Sequence, residues 1–239
     1  PPPRSYLTRY SMTLRYFGHS TFELATETKN ILVDPFITGN PMAKGKVDLD
    51  DLHPDVILVT HAHGDHWGDT PELAIKNNAL VIANYEIVEY LNTKHGHSNA
   101  QPMNAGGSCQ FDWGRVTQTW ARHSSSFPDG TYGGNPGGFI IEIDGKCIYA
   151  MGDTSTFAEM EWIGTDFSID YAVIPIGDCF TMGPKESLRA AKMLNAKVLI
   201  PVHFNTFPAI QVDIDAWEKL MQDHDQATLV LNPGALVEL

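Results

Sequence analysis

Residues 56–66 read VILVTHAHGDH, a run of β-branched and apolar residues followed by His61, His63, Asp65 and His66 within six positions. The apolar run predicts a strand buried on both faces. Its end opens onto a crevice, the usual place for ligands in a sheet with parallel strands. The spacing does not suit one face of a helix, where residues two apart point in different directions. The segment therefore reads as an irregular turn in which Gly64 permits a tight backbone path, with pairs of side chains aimed at two neighbouring ions. A lone histidine is more often a core or surface residue than a ligand. Four imidazole and carboxylate groups packed at one strand end, by contrast, demand a cation to hold them. This donor set predicts divalent metal, zinc first, with manganese or iron as substitutes.

Outward from this stretch, the chain repeats one order of elements. A hairpin, Thr21 to Ala25 and Ile31 to Val33 around Lys29-Asn30, ends at Asp34; a second, Gly138 to Ile143 and Lys146 to Met151 around Asp144-Gly145, ends at Gly152-Asp153. Each is followed by a strand introduced by an aspartate: Asp55 before VILVT and Asp170 before YAVIPI. A helix capped by Thr70 with Pro71 in its first turn runs to about Asn77 and leads to the strand Leu80 to Ala83. Its counterpart is a helix from Pro184 to Leu194, leading to the strand Val198 to Val202. The pattern predicts an αββα sandwich, two packed mixed β-sheets with helices on the outer faces. It is expected to be a single domain over residues 12–239 built from two pseudo-repeated halves, with residues 1–11 as an N-terminal extension. The hairpins argue against the alternative, an ordinary doubly wound parallel sheet.

Composition narrows the partners. With 43% hydrophobic residues in 239, the chain can bury a substantial core. With a formal net charge of −13 and no basic patch, no nucleic-acid partner is expected. The apolar runs are far shorter than a membrane span, and the N-terminal stretch shows no apolar signal core, so no membrane association is expected. Cys109, Cys147 and Cys179 stand far apart, which suits reduced, buried thiols and a cytoplasmic location. The expected partner is a small-molecule substrate, and a homo-oligomer is allowed.

HAHGDH resembles the HxHxDH signature of the metallo-β-lactamase superfamily, and the resemblance extends to its other ligand positions: His123 in ARHSSSF, Asp153 in AMGDTS and His203 in IPVHFNTFP. FGHSTFEL, DPFITGNP, GGNPGGF, FTMGP and HFNTFP are similar to a metal-dependent hydrolase group related to L-ascorbate-6-phosphate lactonase. This implies two divalent metal ions, one on His61, His63 and His123, the other on Asp65, His66 and His203, with Asp153 bridging. It also implies that Asp65 shuttles a proton and that Asp34 orients a histidine ligand; the plain alternative for Asp34 is a turn residue before Pro35. His19 in FGHST is a catalytic candidate lining the cleft, or equally a satisfied structural histidine.

Ser124 and Ser125 are candidates for hydrogen bonds to a substrate oxygen; a nucleophilic serine has no base beside it. Asn205 and Thr206 are candidates to face the substrate, or else turn residues. GGNPGG reads as a backbone bend, because it precedes a strand and lacks the lysine of a nucleotide loop. Trp67 either narrows the cleft or packs beneath the helix that follows. The expected function is a metal-dependent hydrolase acting on a small ester-like substrate, a lactone or a phosphodiester. The alternative is a redox or oxygen-binding metalloprotein on the same scaffold. Diiron flavoproteins of the superfamily carry glutamate where His63 stands, which favours hydrolysis.

Overall fold

Two seven-stranded mixed sheets face each other in a computed structural model that describes residues 12–239. The expectation placed on residues 1–11 lies outside the described residues. The first sheet contains β1 (Thr13–Gly18), β2 (Thr21–Ala25), β3 (Asn30–Val33), β4 (Val56–Leu58), β5 (Leu80–Asn84) and β6 (Ala100–Met103). The second contains β7 (Ser108–Gln110), β8 (Arg115–Trp120), β9 (Gly137–Ile143), β10 (Lys146–Ala150), β11 (Tyr171–Pro175), β12 (Val198–Val202) and β13 (Ala227–Thr228). A last strand, β14 (Leu236–Glu238), returns to the first sheet beside β1.

The pairing is the same in both. Sheet one runs β14-β1-β2-β3-β4-β5-β6 and sheet two β7-β8-β9-β10-β11-β12-β13, each with antiparallel pairs first and parallel pairs after β3 and β10. The two aspartates that introduce β4 and β11 explain part of this register. Asp55 Oδ2 accepts the Asn30 amide and Asp170 Oδ2 the Cys147 amide, both at 2.8 Å, so each carboxylate satisfies a backbone donor at the start of the neighbouring strand.

Side-chain alternation sorts the apolar residues into three layers. Leu14, Phe22, Leu58, Phe139, Ile141 and Val173 fill the space between the sheets. Ile57, Val81, Leu73 and Leu91 join the outer face of the first sheet to α2 (Thr70–Asn77) and α3 (Tyr85–His95), which follow the one-turn α1 (Gly64–Trp67). Ile140, Ile174, Met160, Leu194 and Trp217 join the second sheet to α4 (Met160–Asp166), α5 (Pro184–Leu194) and α6 (Ile214–Gln222). The result is the αββα sandwich, and the purely parallel alternative is excluded. Full burial of each such side chain contributes about 1.5–3 kcal/mol.

α2 and α5 end alike, on Asn78 and Asn195 in the left-handed conformation, a common helix stop. Thr70 is not the cap of α2: it is the first helical residue, and Asp69 precedes it. The Asp69 carboxylate is occupied by the amides of Ile37 and Thr38 at 2.8 Å, which ties the start of the helix to the loop after β3. Among the described residues no helix is long and apolar enough to cross a membrane.

Candidate metal centre

Every residue of the centre leaves a strand end on one edge of the sandwich. His19 follows β1, Asp34 follows β3, the histidine motif follows β4, and His123, Asp153 and His203 come within three residues of the ends of β8, β10 and β12. Three of them sit in the left-handed region, His19 at φ 57°, Asp34 at φ 45° and His203 at φ 54°, with Asn205 at φ 56° close behind. Non-glycine residues adopt this conformation only where surrounding contacts enforce it. Asp34 and Asp153 leave equivalent strands at different depths. In the pairing of β3 with β4 and of β10 with β11, the Asp34 amide bonds Leu58 O and the Met151 amide bonds Val173 O, so Met151 is the counterpart of Asp34 and Asp153 lies two residues further on.

The histidine motif is not wholly irregular. His63 is the N-cap of α1, so Asp65 and His66 stand on a helical turn while His61 and His63 precede it. Gly64 has an ordinary helical backbone, and a Cβ there would meet only Pro128 Cγ at 3.4 Å. The glycine the turn requires is Gly68, at φ 35°, where a Cβ would strike Pro35 O. Trp67 packs edge-on against Phe127 and Tyr90, with centroids 5.1 and 5.9 Å away, and Tyr90 stacks on Phe127. It therefore braces the segment after His123 against α1 and α3 and is buried away from the cleft.

Around Asp153 the side chains converge. Its Oδ2 lies 2.9 Å from His203 Nε2, 3.2 Å from His66 Nε2, 3.6 Å from His123 Nε2 and 3.8 Å from His61 Nε2. On one side, His63 Nδ1 is 3.0 Å from His61 Nε2 and 3.3 Å from His123 Nε2. On the other, Asp65 groups with His66, His203 and His19. The structure thus brings together all seven residues expected from the sequence, in two groups flanking Asp153.

Burial dominates the first group: it pushes His61 well below the usual imidazole range and lowers His63 and His123, with neighbouring imidazoles adding to the effect. Burial thus opposes charging these rings, and their nitrogens face one another about 3 Å apart. His66 differs, because burial lowers it but Asp153 and Asp34 outweigh burial and hold it well above the usual range. Burial raises Asp153 and Asp65, yet the neighbouring histidines hold both carboxyls below their ordinary range. His66 Nε2 and Asp153 Oδ1 are buried without a hydrogen-bond partner. Converging nitrogen lone pairs, a central carboxylate and buried unpaired atoms fit divalent cations, which such N/O donor sets bind.

The surrounding contacts settle the secondary roles. Asp34 Oδ2 accepts from His66 Nδ1 at 2.7 Å and from Thr60 Oγ1 at 2.7 Å, and its Oδ1 takes the Thr60 amide at 2.8 Å. Thr60 Oγ1, its proton given to Asp34, then accepts from His61 Nδ1 at 3.1 Å. Both rings are thereby anchored through Nδ1, with Nε2 turned toward Asp153. Thr60 went unremarked in the sequence; the signal was a hydroxyl side chain placed directly before the first histidine. Ser124 is exposed, with Oγ 3.3 Å from His63 Nε2, and stays a candidate to meet substrate.

Ser125 does not face the cleft. It is buried, accepts the Ala62 amide at 3.1 Å and donates to Gly133 O at 2.9 Å. Nor is Asn205 free for substrate: both ends of its amide bind the Val212 backbone, at 2.7 and 3.1 Å. Thr206 Oγ1 is 2.9 Å from His19 Nδ1, and burial brings His19 down to about 4 despite its contact with Asp65. The GGNPGG stretch is a bend, held where Asn84 Nδ2 donates to Gly133 O and Asn135 O.

Comparison with known proteins agrees with this geometry. A family model described as a β-lactamase superfamily domain matches residues 29–204. A UPF0173 metal-dependent hydrolase of Salinibacter ruber is 44% identical over 228 residues, covering 95% of this chain and 100% of the relative. One from Anoxybacillus flavithermus is 47% identical over 232 residues, with coverage of 95% and 100%. Among solved structures, Igni18, a metallo hydrolase from the hyperthermophilic archaeon Ignicoccus hospitalis, superposes with a TM-score of 0.86 at 34% identity, covering 96% of this chain and 98% of that one.

Proposed function

This chain belongs to the UPF0173 metal-dependent hydrolase family of the metallo-β-lactamase superfamily, and from that premise we propose that it is a dinuclear hydrolase of small ester-like substrates, lactones or phosphodiesters. The observation that carries the reading is the central placement of Asp153 Oδ2, within 2.9–3.8 Å of four imidazole Nε2 atoms drawn from both groups of the centre. One divalent ion belongs with His61, His63 and His123, the other with Asp65, His66 and His203. Zinc is the first candidate, with manganese and iron next.

Bound divalent ions supply water activation at neutral pH and polarisation of the carbonyl or phosphoryl oxygen. The chain's own residues do the rest. His61 and His66 are held in one orientation by Thr60 and Asp34. Asp65, part-exposed at the cleft, is placed to accept a proton from the attacking water and pass it toward the leaving group. Ser124 offers a hydroxyl beside His63 for orienting a substrate oxygen.

The test is elemental analysis of the purified protein followed by a screen of lactones, phosphodiesters and β-lactams. The expected result is two ions per chain and hydrolysis of a lactone or phosphodiester that chelation abolishes and added divalent metal restores. A fully active preparation with one ion per chain overturns the dinuclear reading. A metal-replete protein that hydrolyses neither class overturns the substrate assignment.

A further inference from the structure

We propose that His19 is a positioning residue that Thr206 orients through Nδ1 and that in turn orients Asp65 through Nε2, strapping the second ligand group together across the two sheets. The proposal rests on the metal reading above and deepens it.

The hydrogen-bond inventory fixes the proton. His19 Nε2 lies 3.1 Å from Asp65 Oδ2, and an ionised carboxylate can only accept, so Nε2 carries the hydrogen. Nδ1 lies 2.9 Å from the Thr206 hydroxyl, nearer than the other groups within reach of that hydroxyl, Met42 Sδ at 3.1 Å and Phe204 O at 3.4 Å. His19 is fully buried, with its centroid 4.2 Å from that of His203 in a centre built to hold cations. An Nε2 that bears hydrogen has no lone pair for an ion and none to receive a proton from Asp65. Its position groups it with Asp65, His66 and His203, and the proposal gives it the place of a donor to Asp65 in that group.

The main chain of the same residue does complementary work. His19 O accepts from the His203 amide and from the Tyr16 hydroxyl, both at 2.9 Å. The first of these bonds joins the end of β1 in one sheet to the end of β12 in the other, so a single residue holds Asp65 by its side chain and His203 by its backbone. Both His19 and His203 have positive φ, and this bond is among the contacts that enforce it.

Four variants and cobalt alone as the probe test this. Parental protein is titrated with Co²⁺ and followed by its visible spectrum and by bound metal after dialysis, beside His19→Ala, His19→Gln, Thr206→Val and Thr206→Ser, each checked for folding by circular dichroism. The parent takes two ions. His19→Ala weakens the second about 10- to 100-fold, the range for residues that orient ligands, and alters its absorption band. His19→Gln, whose amide nitrogen reaches the Nε2 position as a donor, restores binding and spectrum to near parental. Thr206→Val weakens the second ion less than His19→Ala does, and Thr206→Ser restores it. A His19→Gln protein as defective as a folded His19→Ala overturns the positioning role, as does a His19→Ala protein with parental affinity and spectrum. A parent that binds no Co²⁺ overturns the metal reading itself, and the proposal with it.

Discussion

Asp34 Oδ2 accepts a hydrogen bond from His66 Nδ1 at 2.7 Å, and both residues are buried. The same oxygen also takes the Thr60 hydroxyl, and the other oxygen takes the Thr60 amide, so three donors point at one carboxylate. An asparagine there replaces an acceptor oxygen with a donor and faces at least one of them donor to donor. Asp34→Asn is expected to lower metal affinity about 10- to 100-fold, measured as metal retained against a competing chelator.

Asp153→Ala is expected to empty both halves of the centre, since its Oδ2 is shared by histidines of each group. Without the carboxylate two neighbouring cations lose their common counter-charge. Elemental analysis finding two ions still bound would show that the carboxylate is not shared between sites.

Asp65→Asn keeps a coordinating oxygen but cannot accept a proton. Turnover of a responsive substrate is expected to fall about 10²- to 10⁴-fold with little change in KM. Metal content read on the same sample separates this from loss of an ion.

Gly68 and Gly64 are expected to respond oppositely to alanine. Gly64 has a helical backbone with room for a methyl group, so Gly64→Ala should leave the melting temperature near parental. Gly68→Ala forces a Cβ into Pro35 O at a positive φ, and a clear drop in melting temperature in a thermal scan is expected.

Cys147 and Cys179 are expected to differ toward a thiol reagent. Burial, reinforced by Glu142 and Asp170, pushes the Cys147 thiol up to about 12, so its reactive thiolate is scarce until the pH approaches that value. Cys179 is exposed. Peptide mapping after brief labelling at neutral pH should find the adduct on Cys179 and not on Cys147.

The sequence was most legible where one residue type does one thing. His61, His63, Asp65 and His66 declare themselves because no apolar core uses such a cluster, and the paired hairpins with Asp55 and Asp170 repeat closely enough to predict both sheets. What it concealed depends on neighbours distant in the chain. Ser125 and Asn205 look like substrate contacts from their places beside His123 and His203, yet each is spent on backbone, at Ala62 and Gly133 or at Val212. Gly64 looked like the tight turn because it lies among the histidines, whereas the steric demand falls at Gly68, set by the loop at Pro35. The surroundings of His19, with Thr206, Asp65 and the His203 amide about it, come from distant parts of the chain.

β14 lies antiparallel to β1 with Glu238 opposite Thr13, just as β7 lies antiparallel to β8, where Gln110 is opposite Arg115. The strand order is the same in both sheets, with β14 beside β1 matching β7 beside β8. A chain opened between β6 and β7, with β14 joined to β1, has each sheet encoded by one unbroken stretch. A circular permutant of that design is expected to keep every strand pairing, one stretch bringing His19, Asp34 and the histidine motif and the other His123, Asp153 and His203.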